Sequence, residues 1–286
     1  MMSNILVVIY SYKGKILKDV INQIELSKSN NNSVNIVLWD QNPLDRKKIF
    51  NNVIYNHIFW DQITSPSVYK NLSIKKYNYD YILFLSDNVL LSNNWDEKII
   101  NLLNNKNIIL SGNSKFKINK KNFYSIEKEN IESINDITIT NFIDKSFIFG
   151  NRKTFEEIYF PPYIKYFGEE EVLSIDIFSK GIDIYAVPTE IYSKVLPDLI
   201  TEIYVPFSLN HGYNHALSLF KNNKNQFIDL TQRKRTVKDF CNFHNFMFNS
   251  LNYLPFFTDD VQYDPYGLNF DKVDARRFVA RTKAIH

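Results

Sequence analysis

The first half of the chain alternates short apolar runs with stretches of helical spacing, and this alternation restricts the fold more than any other feature. The apolar runs, which we predict as strands, are residues 5–10, 34–39, a run within 52–60, 81–85 and 107–111. The stretches of helical spacing are residues 15–27, 66–77 and 94–104. Such alternation is typical of α/β folds, in which helices cover a mostly parallel sheet. We therefore predict a Rossmann-like α/β domain with a mixed, mostly parallel sheet flanked by helices.

The second half of the chain is less regular. Residues 115–136 are polar and charged and predict an irregular loop, whereas residues 137–149 and 182–187 predict strands. Residues 170–180 predict a helix that Gly181 closes. The regular alternation is lost after about residue 220. We therefore predict a main domain over residues 1–221 and a C-terminal extension over residues 222–286.

Polar side chains stand at the predicted carboxyl ends of three strands. They are Ser11-Tyr12, Asp40-Gln41 and Ser86-Asp87-Asn88. Ligands of open α/β sheets bind at the carboxyl ends of the strands, so we predict that these residues line one binding site.

The triplet Ser86-Asp87-Asn88 joins one carboxylate to short oxygen-bearing side chains. Mg²⁺ and Mn²⁺ prefer oxygen ligands and keep positions open for substrate phosphates. We predict that Asp87 and Asn88 bind such a metal on a diphosphate. Either His211 or His215 of a later loop can complete the site, because imidazole tolerates Mn²⁺, and His211 is our candidate. The alternatives are an ordinary polar turn and loop histidines without a ligand role.

Three carboxylates, Glu169, Glu170 and Glu171, follow Gly168 at the predicted start of a helix. Acidic side chains at this position complement the helix dipole, which is one explanation for them. The other is general-base catalysis, in which a positioned carboxylate takes the proton of an attacking hydroxyl. We predict Glu170, or else Glu169, as that base.

Composition excludes several classes of protein. The single cysteine, Cys241, excludes an internal disulfide framework and a cysteine zinc cluster. Residues 5–10 are too short for the apolar region of a signal peptide, and no apolar run approaches the length of a membrane span. We therefore expect a cytoplasmic protein without a membrane span.

The net charge of +3 does not by itself indicate a nucleic-acid partner. Basic residues cluster at 115–121, 233–235 and 276–283. Such clusters are ordinarily solvated faces. They can also neutralise a leaving diphosphate, or together follow a nucleic-acid backbone.

Taken in order, these motifs resemble the N-acetylglucosaminyltransferases that modify hydroxyproline in a ubiquitin-ligase adaptor, a polypeptide-modifying family with a GT-A fold. The matching positions are Ser11-Tyr12, Gln41, Ser65-Pro66, Tyr69-Lys70, Ser86-Asp87-Asn88, Asn94-Trp95-Asp96, residues 167–170, Gly181-Ile182-Asp183 and Arg235-Thr236. The chain departs from the family at Ser86, where the family has Asp, and at Asn88, where it has His. Asp176 replaces a family Arg, and the family His that follows the strand at residues 182–187 falls near Ser193, so His211 has to substitute for it.

The resemblance implies a nucleoside-diphosphate sugar as donor substrate and Mn²⁺ or Mg²⁺ as cofactor. Ser11, Tyr12 and Asp40 would contact the nucleoside, and Asp87, Asn88 and His211 would hold the metal. The donor-binding residues that we expect in full are Ser11, Tyr12, Asp40, Gln41, Lys70, Asp87 and Trp95.

From the residues and the resemblance together we predict a GT-A-like glycosyltransferase, either a hexosyl- or a pentosyltransferase, with an extension that is a candidate acceptor-binding region. The acceptor hydroxyl belongs to a protein, a glycan or a nucleic acid. Two alternatives remain. One is a transferase that acts on modified bases of DNA, for example in a virus, which would have to flip the base out of the stack. The other is a non-catalytic binding module that has kept the fold and lost the metal.

Overall fold

The computed structural model describes residues 2–12, 14, 16–50, 52–58, 65–104, 106–112, 115–118, 126–129, 136–140, 142–162, 164, 169–195, 228, 230, 231 and 233–243. The helices in this part of the chain are α1 (Leu17–Ser27), α2 (Pro66–Lys76), α3 (Trp95–Leu103), α4 (Arg152–Glu156), α5 (Glu169–Ser179) and α6 (Val237–Phe243). The strands are β1 (Ser3–Tyr12), β2 (Asn32–Gln41), β3 (Ile54–Ile58), β4 (Tyr81–Ser86), β5 (Val89–Leu91), β6 (Ile108–Ser111), β7 (Lys115–Ile118), β8 (Ile126–Glu129), β9 (Thr138–Ile139), β10 (Phe147–Asn151), β11 (Asp183–Ala186) and β12 (Tyr192–Lys194).

Eight strands form the central sheet in the order β3-β2-β1-β4-β10-β6-β11-β9. The pairs among β1, β2, β3 and β4 are parallel, as is the β6–β11 pair, whereas β10 runs antiparallel to both β4 and β6. The predicted mixed, mostly parallel α/β sheet is therefore confirmed. The carboxyl ends of β1, β2, β4, β6 and β11 lie at one edge, which we call the carboxyl edge. The opposite edge is the amino edge.

Side-chain alternation divides the sheet into two packed faces. Face one carries Ile9, Leu38 and Leu85 and is covered by the apolar sides of α1 and α3. Face two carries Val8 and Phe84 and is covered by α4 and α5. Because side chains alternate along a strand, the same parity places Ser11, Asp40 and Asp87 toward face one.

The helices begin where sequence chemistry favours it. Ser65 adopts an extended conformation and its hydroxyl accepts the Ser67 N–H, with Pro66 at the first position of α2. In α1, residues three and four apart are buried against face one, namely Leu17, Val20, Ile21 and Ile24. Gly181 follows α5 with φ +85°, a left-handed conformation that glycine adopts without strain.

The structure differs from the prediction at residues 115–136. The expected irregular loop contains β7 and β8, which pair antiparallel. The short runs Lys115–Ile118 and Ile126–Glu129 are rich in charged residues, which obscured their strand pattern.

Part of the predicted C-terminal extension belongs to the packed core. Leu230, Val237 and Phe240 are buried together with Val172 and Phe178 of α5. Leu230 and the buried residues of α6 therefore support α5 from its outer side. No helix among the described residues is both long and apolar enough to cross a membrane.

Candidate active site

Asp87 lies at the carboxyl edge, in the turn that follows β4. Register pairs Tyr10 with Ser86, which brings Ser11 of β1 beside Asp87. The fully buried Ser11 donates its hydroxyl proton to Asp87 Oδ2 at 2.7 Å, and the Gly14 N–H donates to Ser11 Oγ at 3.2 Å. This chain of hydrogen bonds orients a carboxylate that is itself half-buried.

Gly14 brings the backbone close to this carboxylate. A Cβ atom at residue 14 would overlap Asp87 Oδ2 and lie 2.7 Å from Ser11 Oγ. Real Cβ atoms do not come so close to other heavy atoms, so a side chain here requires Asp87 or Ser11 to move.

A short second sheet holds the turn from its other side. β5 follows the turn and pairs antiparallel with β12, with Lys194 opposite Val89. The Val195 N–H donates to the Asn88 carbonyl at 3.0 Å. The triplet Ser86-Asp87-Asn88 is thus held between two strand pairs.

Residues 144–146, which we call the connecting segment, join the triplet to α5. Because β10 is antiparallel, its beginning lies at the carboxyl edge. The Ser146 carbonyl accepts the Ser86 N–H at 2.9 Å, and the Lys145 N–H donates to Glu170 Oε1 at 3.1 Å. The structure therefore brings Glu170 to the same edge as Asp87.

Asp144 of the connecting segment pairs with Lys194. Lys194 Nζ lies 2.9 Å from Asp144 Oδ2, and Asp144 Oδ1 accepts the N–H and hydroxyl of Ser146. A Cβ atom at Gly112 would lie 3.0 Å from Asp144 Cγ, so the carboxylate is closely packed. Sequence reasoning missed this pair, because its members lie 50 residues apart and belong to no local motif.

The three glutamates that begin α5 have different surroundings. Glu169 is buried, accepts a proton from the Ser67 hydroxyl at 2.6 Å and lies 3.1 Å from Lys70 Nζ. Burial opposes its charge, but Lys70, Lys145 and the Ser67 hydrogen bond outweigh burial and lower the pKa of Glu169.

Burial acts differently on the third glutamate. It raises the pKa of Glu171 to about 7, and the neighbouring Glu170 charge adds to this effect. Glu170 alone is half-buried. Because Glu170 is the most exposed of the three, these surroundings favour it as the base. Glu169 and Lys70 instead form a buried ion pair.

Asp40, predicted to bind the nucleoside, is fully buried, and its carboxylate accepts hydrogen bonds from Arg46 and Tyr55. Arg46 Nε donates to Asp40 Oδ2 at 2.8 Å, and the Tyr55 hydroxyl donates to the same oxygen at 2.9 Å. Burial, supported by the Asp40 charge, raises the pKa of Tyr55 to about 12. The hydrogen bond to Asp40, with a smaller contribution from Asp87, raises the pKa of Arg46. Arg46, which sequence reasoning missed, therefore lies within electrostatic range of Asp87.

Two further predicted donor-binding residues, Gln41 and Tyr12, end β2 and β1 at the carboxyl edge. Gln41 lies on face two, where its side-chain oxygen accepts the Tyr10 hydroxyl proton. Tyr12 ends β1 opposite Gln41 in the register.

Trp95 is fully buried on face one, and its indole N–H donates to the Ile24 carbonyl at 3.4 Å. The following residue, Asp96, accepts hydrogen bonds from Ser29 and from Asn32, the first residue of β2. The Trp-Asp pair therefore anchors α3 at the amino edge, far from Asp87.

A metal site is not preassembled in the part of the chain that the structure describes. No group of three His, Cys, Asp or Glu side chains converges there, and His211 lies outside the described residues. Asp87 and Asn88 nevertheless supply oxygen donors. A set of one carboxylate and one amide fits a hard cation whose other ligands come from substrate phosphates and water.

Two arginines of the basic triplet 233–235 form intramolecular pairs. Arg233 lies 3.5 Å from Asp176, and Arg235 lies 2.5 Å from Asp183 and over the Phe178 ring. These contacts attach the segment before α6 to α5 and to the start of β11. Residues 276–283 lie outside the described residues.

Comparison with known proteins shows the fold. No protein-family model and no curated protein matches the sequence. The chain is similar to a crystal structure of GalNAc-T7 with UDP, GalNAc and Mn²⁺, with a TM-score of 0.62 and 12% identity. The alignment covers 85% of this chain and 55% of that chain, so this chain spans about half of the GalNAc-T7 structure.

A structure of S. aureus TarS residues 1–349 aligns more weakly, with a TM-score of 0.45 and 14% identity over 65% of this chain and 60% of that one. At 12% identity, the likeness to GalNAc-T7 concerns the architecture of the chain. The chain has the mixed α/β architecture of the GT-A glycosyltransferases.

Proposed function

We propose that the protein is a glycosyltransferase that moves a sugar from a nucleoside-diphosphate sugar to an acceptor hydroxyl. The observation that carries the proposal is the connecting segment, which hydrogen-bonds to Ser86 on one side and to Glu170 on the other. The triplet Ser86-Asp87-Asn88, which we call the diphosphate corner, and the candidate base Glu170 thus lie at one edge of a GT-A-like sheet. The narrower relation to hydroxyproline-modifying transferases rests on the motifs alone.

The donor would lie along the carboxyl edge, where ligands of such sheets bind. Ser11 holds the Asp87 carboxylate toward this edge. The Asp40 carboxylate is fully buried, so it would act through Arg46, whose side chain is 19% exposed and would meet the nucleoside end of the donor. Tyr12, at the end of β1, completes this proposed subsite.

Asp87 and Asn88 would hold Mn²⁺ or Mg²⁺ on the diphosphate, with His211 as a further candidate ligand. A bound divalent cation would offset negative charge on the leaving diphosphate. The structure of GalNAc-T7 contains UDP and Mn²⁺, which supports the choice of donor class and metal.

Glu170 would act as the general base. Its Oε1 accepts the Lys145 N–H, which orients the carboxylate, and the residue stays partly exposed. It would take the acceptor proton as the hydroxyl oxygen attacks the anomeric carbon. Direct attack of this kind inverts the anomeric configuration.

The acceptor is a protein, a glycan or a nucleic acid, and the C-terminal extension is the proposed acceptor-binding region. The DNA-modifying alternative depended on the basic clusters. Among the described residues of these clusters, Arg233 and Arg235 pair with Asp176 and Asp183, which gives them a structural role within the chain. We therefore favour a protein or glycan acceptor.

A thermal-shift screen of nucleoside diphosphates and nucleotide sugars, with Mn²⁺ and with chelator, tests the proposal. A ligand that binds only the folded state raises the melting temperature. We expect one nucleotide class to raise it, and more strongly with Mn²⁺. If no nucleotide raises it under either condition, the protein is not a nucleotide-sugar transferase and the non-catalytic alternative stands.

A further inference from the structure

Lys194 lies beside the proposed diphosphate corner, and sequence reasoning assigned it no role. It ends β12 opposite Val89, the first residue after the triplet Ser86-Asp87-Asn88. The next residue, Val195, hydrogen-bonds to the Asn88 carbonyl. The backbone of Lys194 is therefore fixed against the turn that carries Asp87.

A buried carboxylate holds the Lys194 side chain in place. Asp144 is fully buried, and its Oδ2 lies 2.9 Å from Lys194 Nζ while Oδ1 accepts two hydrogen bonds from Ser146. The Lys194 side chain is 25% exposed, so solvent and ligands can reach it. Asp144 therefore positions an accessible ammonium group at a defined place, which an unpaired surface lysine would not achieve.

A donor diphosphate carries negative charge, which a cationic side chain can offset together with a bound metal. Among the described residues the metal donors are one carboxylate and one amide, Asp87 and Asn88. A lysine ammonium is a compact point charge that binds phosphate oxygens well. Lys194, at the end of β12, pairs in the short second sheet with Val89, the residue that follows the triplet.

We infer that Lys194 is a resident positive charge for the donor diphosphate and that Asp144 is its positioning residue. This inference rests on the proposed function. In the transfer, the bond between the anomeric carbon and the diphosphate oxygen breaks and its electron pair stays on that oxygen. The acceptor oxygen bonds to the anomeric carbon, and its proton passes to Glu170. Lys194 stays protonated throughout and stabilises the departing diphosphate by charge and hydrogen bonding.

Calorimetric titration of the full chain with UDP, GDP, ADP and CDP, each with Mn²⁺ and with chelator, tests the inference. For the nucleotide that binds, the wild type retains measurable affinity in chelator. Lys194→Met weakens that metal-free binding by about 10- to 100-fold, the value of one charged hydrogen bond. Lys194→Arg keeps the positive charge and restores the affinity to within about threefold.

Two further variants control for folding. Lys153→Met removes an exposed lysine from α4, at the amino edge, and leaves nucleotide affinity unchanged. The double variant Lys194→Met/Asp144→Asn removes both charges, so it avoids a buried unpaired carboxylate and replaces the single variant if that one does not fold.

The outcomes separate the inference from the proposed function. Metal-free diphosphate binding that is equal in the wild type and in the Lys194→Met or double variant overturns the inference and leaves the transferase proposal intact. Binding by the wild type only with Mn²⁺ does the same. No binding of any nucleotide under either condition overturns both.

Discussion

At the residue scale, the orientation of Asp87 depends on its neighbours in β1 and on the segment after it. Ser11 and Gly14 come from a different part of the sequence, yet they restrict the carboxylate through one hydroxyl and one missing side chain. The position of Asp87 therefore depends on the missing side chain of Gly14 as well as on the hydrogen bond from Ser11.

Gly14→Ala tests that dependence. The new Cβ would overlap Asp87 Oδ2, so Asp87 has to rotate away from Ser11. We expect metal-dependent nucleotide affinity to fall at least tenfold, with stability lowered by about 1–3 kcal/mol. Titration of the nucleotide and urea unfolding measure the two effects. Unchanged affinity in a folded variant would mean that the position of Asp87 is not important for binding.

Glu170→Gln and Glu169→Gln form a matched pair at adjacent positions. Glu170→Gln lowers kcat by about 10²- to 10⁴-fold and leaves nucleotide affinity and melting temperature near wild type, because only the base is lost. Glu169→Gln instead strands the buried Lys70 and lowers stability by about 3–5 kcal/mol.

Turnover assays and thermal melts separate these two effects. Asp87→Ala also abolishes turnover while the fold survives, because it removes the proposed metal ligand. A Glu170→Gln enzyme with full kcat would exclude Glu170 as the base.

Glu171 gives the protein a specific pH dependence of stability. Its pKa is about 7 in the folded protein and near 4.5 in the unfolded chain, so the folded state prefers the protonated acid. Its contribution to stability is greatest below pH 4.5, declines as the pH rises to 7, and then levels off. Glu171→Gln is therefore more stable than wild type at pH 8, by up to about 3 kcal/mol, and loses this advantage at pH 4.5.

Urea unfolding at several pH values measures the Glu171 effect. Glu157→Gln, at an exposed position in the same region of sequence, provides the comparison and shows no such trend. A constant difference between Glu171→Gln and wild type across this range would contradict the assignment.

At the scale of elements, α5 is the helix on which the proposed chemistry depends. Nearly every residue of α5 is buried, because face two covers one side and the segment of α6 covers the other. Phe240 of α6 is fully buried and its ring lies 5.3 Å from the Phe178 ring, edge to face. The position of Glu170 therefore depends on residues more than 60 positions later in the chain.

Phe240→Ala tests the support of α5. Loss of this buried ring leaves a cavity and lowers the free energy of unfolding by about 3–5 kcal/mol. Because α5 loses its outer contact, we expect kcat to fall while nucleotide affinity stays within a few fold. Phe243→Ala, at a half-exposed ring of the same helix, gives a smaller loss of stability. Equal effects of the two variants would contradict this role for α6.

Sequence reasoning recovered what local patterns encode. The shared edge of Ser11, Asp40 and Asp87 could be predicted, because each stands at the carboxyl end of an apolar run in the sequence. Lys194, Asp144 and Arg46 were missed because their roles arise from contacts between distant elements. The direction of β10 was likewise hidden, since a short strand that begins with three apolar residues looks the same in either orientation.

At the scale of the whole molecule, the two edges of the sheet have different tasks. The carboxyl edge gathers the candidate catalytic residues, while the amino edge is closed by Asp96, which accepts hydrogen bonds from Ser29 and Asn32. Burial opposes the Asp96 charge, but these bonds outweigh it and lower the pKa of Asp96. The proposed chemistry thus lies at one edge of the sheet, and the Asp96 contacts lie at the other.

Asp96→Ala tests the separation of the edges. It leaves the donors of Ser29 and Asn32 without their acceptor and lowers stability by about 1–3 kcal/mol. The loss is present at neutral pH and shrinks as the pH falls below about 4, because Asp96 of the unfolded chain then takes up a proton. The folded carboxylate, whose pKa is lowered, takes up a proton only at a lower pH. Nucleotide affinity of the folded variant remains at the wild-type value. A large change in affinity would show that the two edges are coupled.

The antiparallel course of β10 has a consequence for how the chain tolerates insertions. The connecting segment enters β10 directly, and Phe147 and Phe149 point to face one while Ile148 points to face two. One residue inserted between Ser146 and Phe147 would shift Lys145 and Asp144 away from their partners, or else reverse the faces of the whole strand. Chain added before the segment has no such effect on register. We therefore expect insertions and deletions in related sequences to fall in the chain directly before residue 142 and to be absent from residues 144–151.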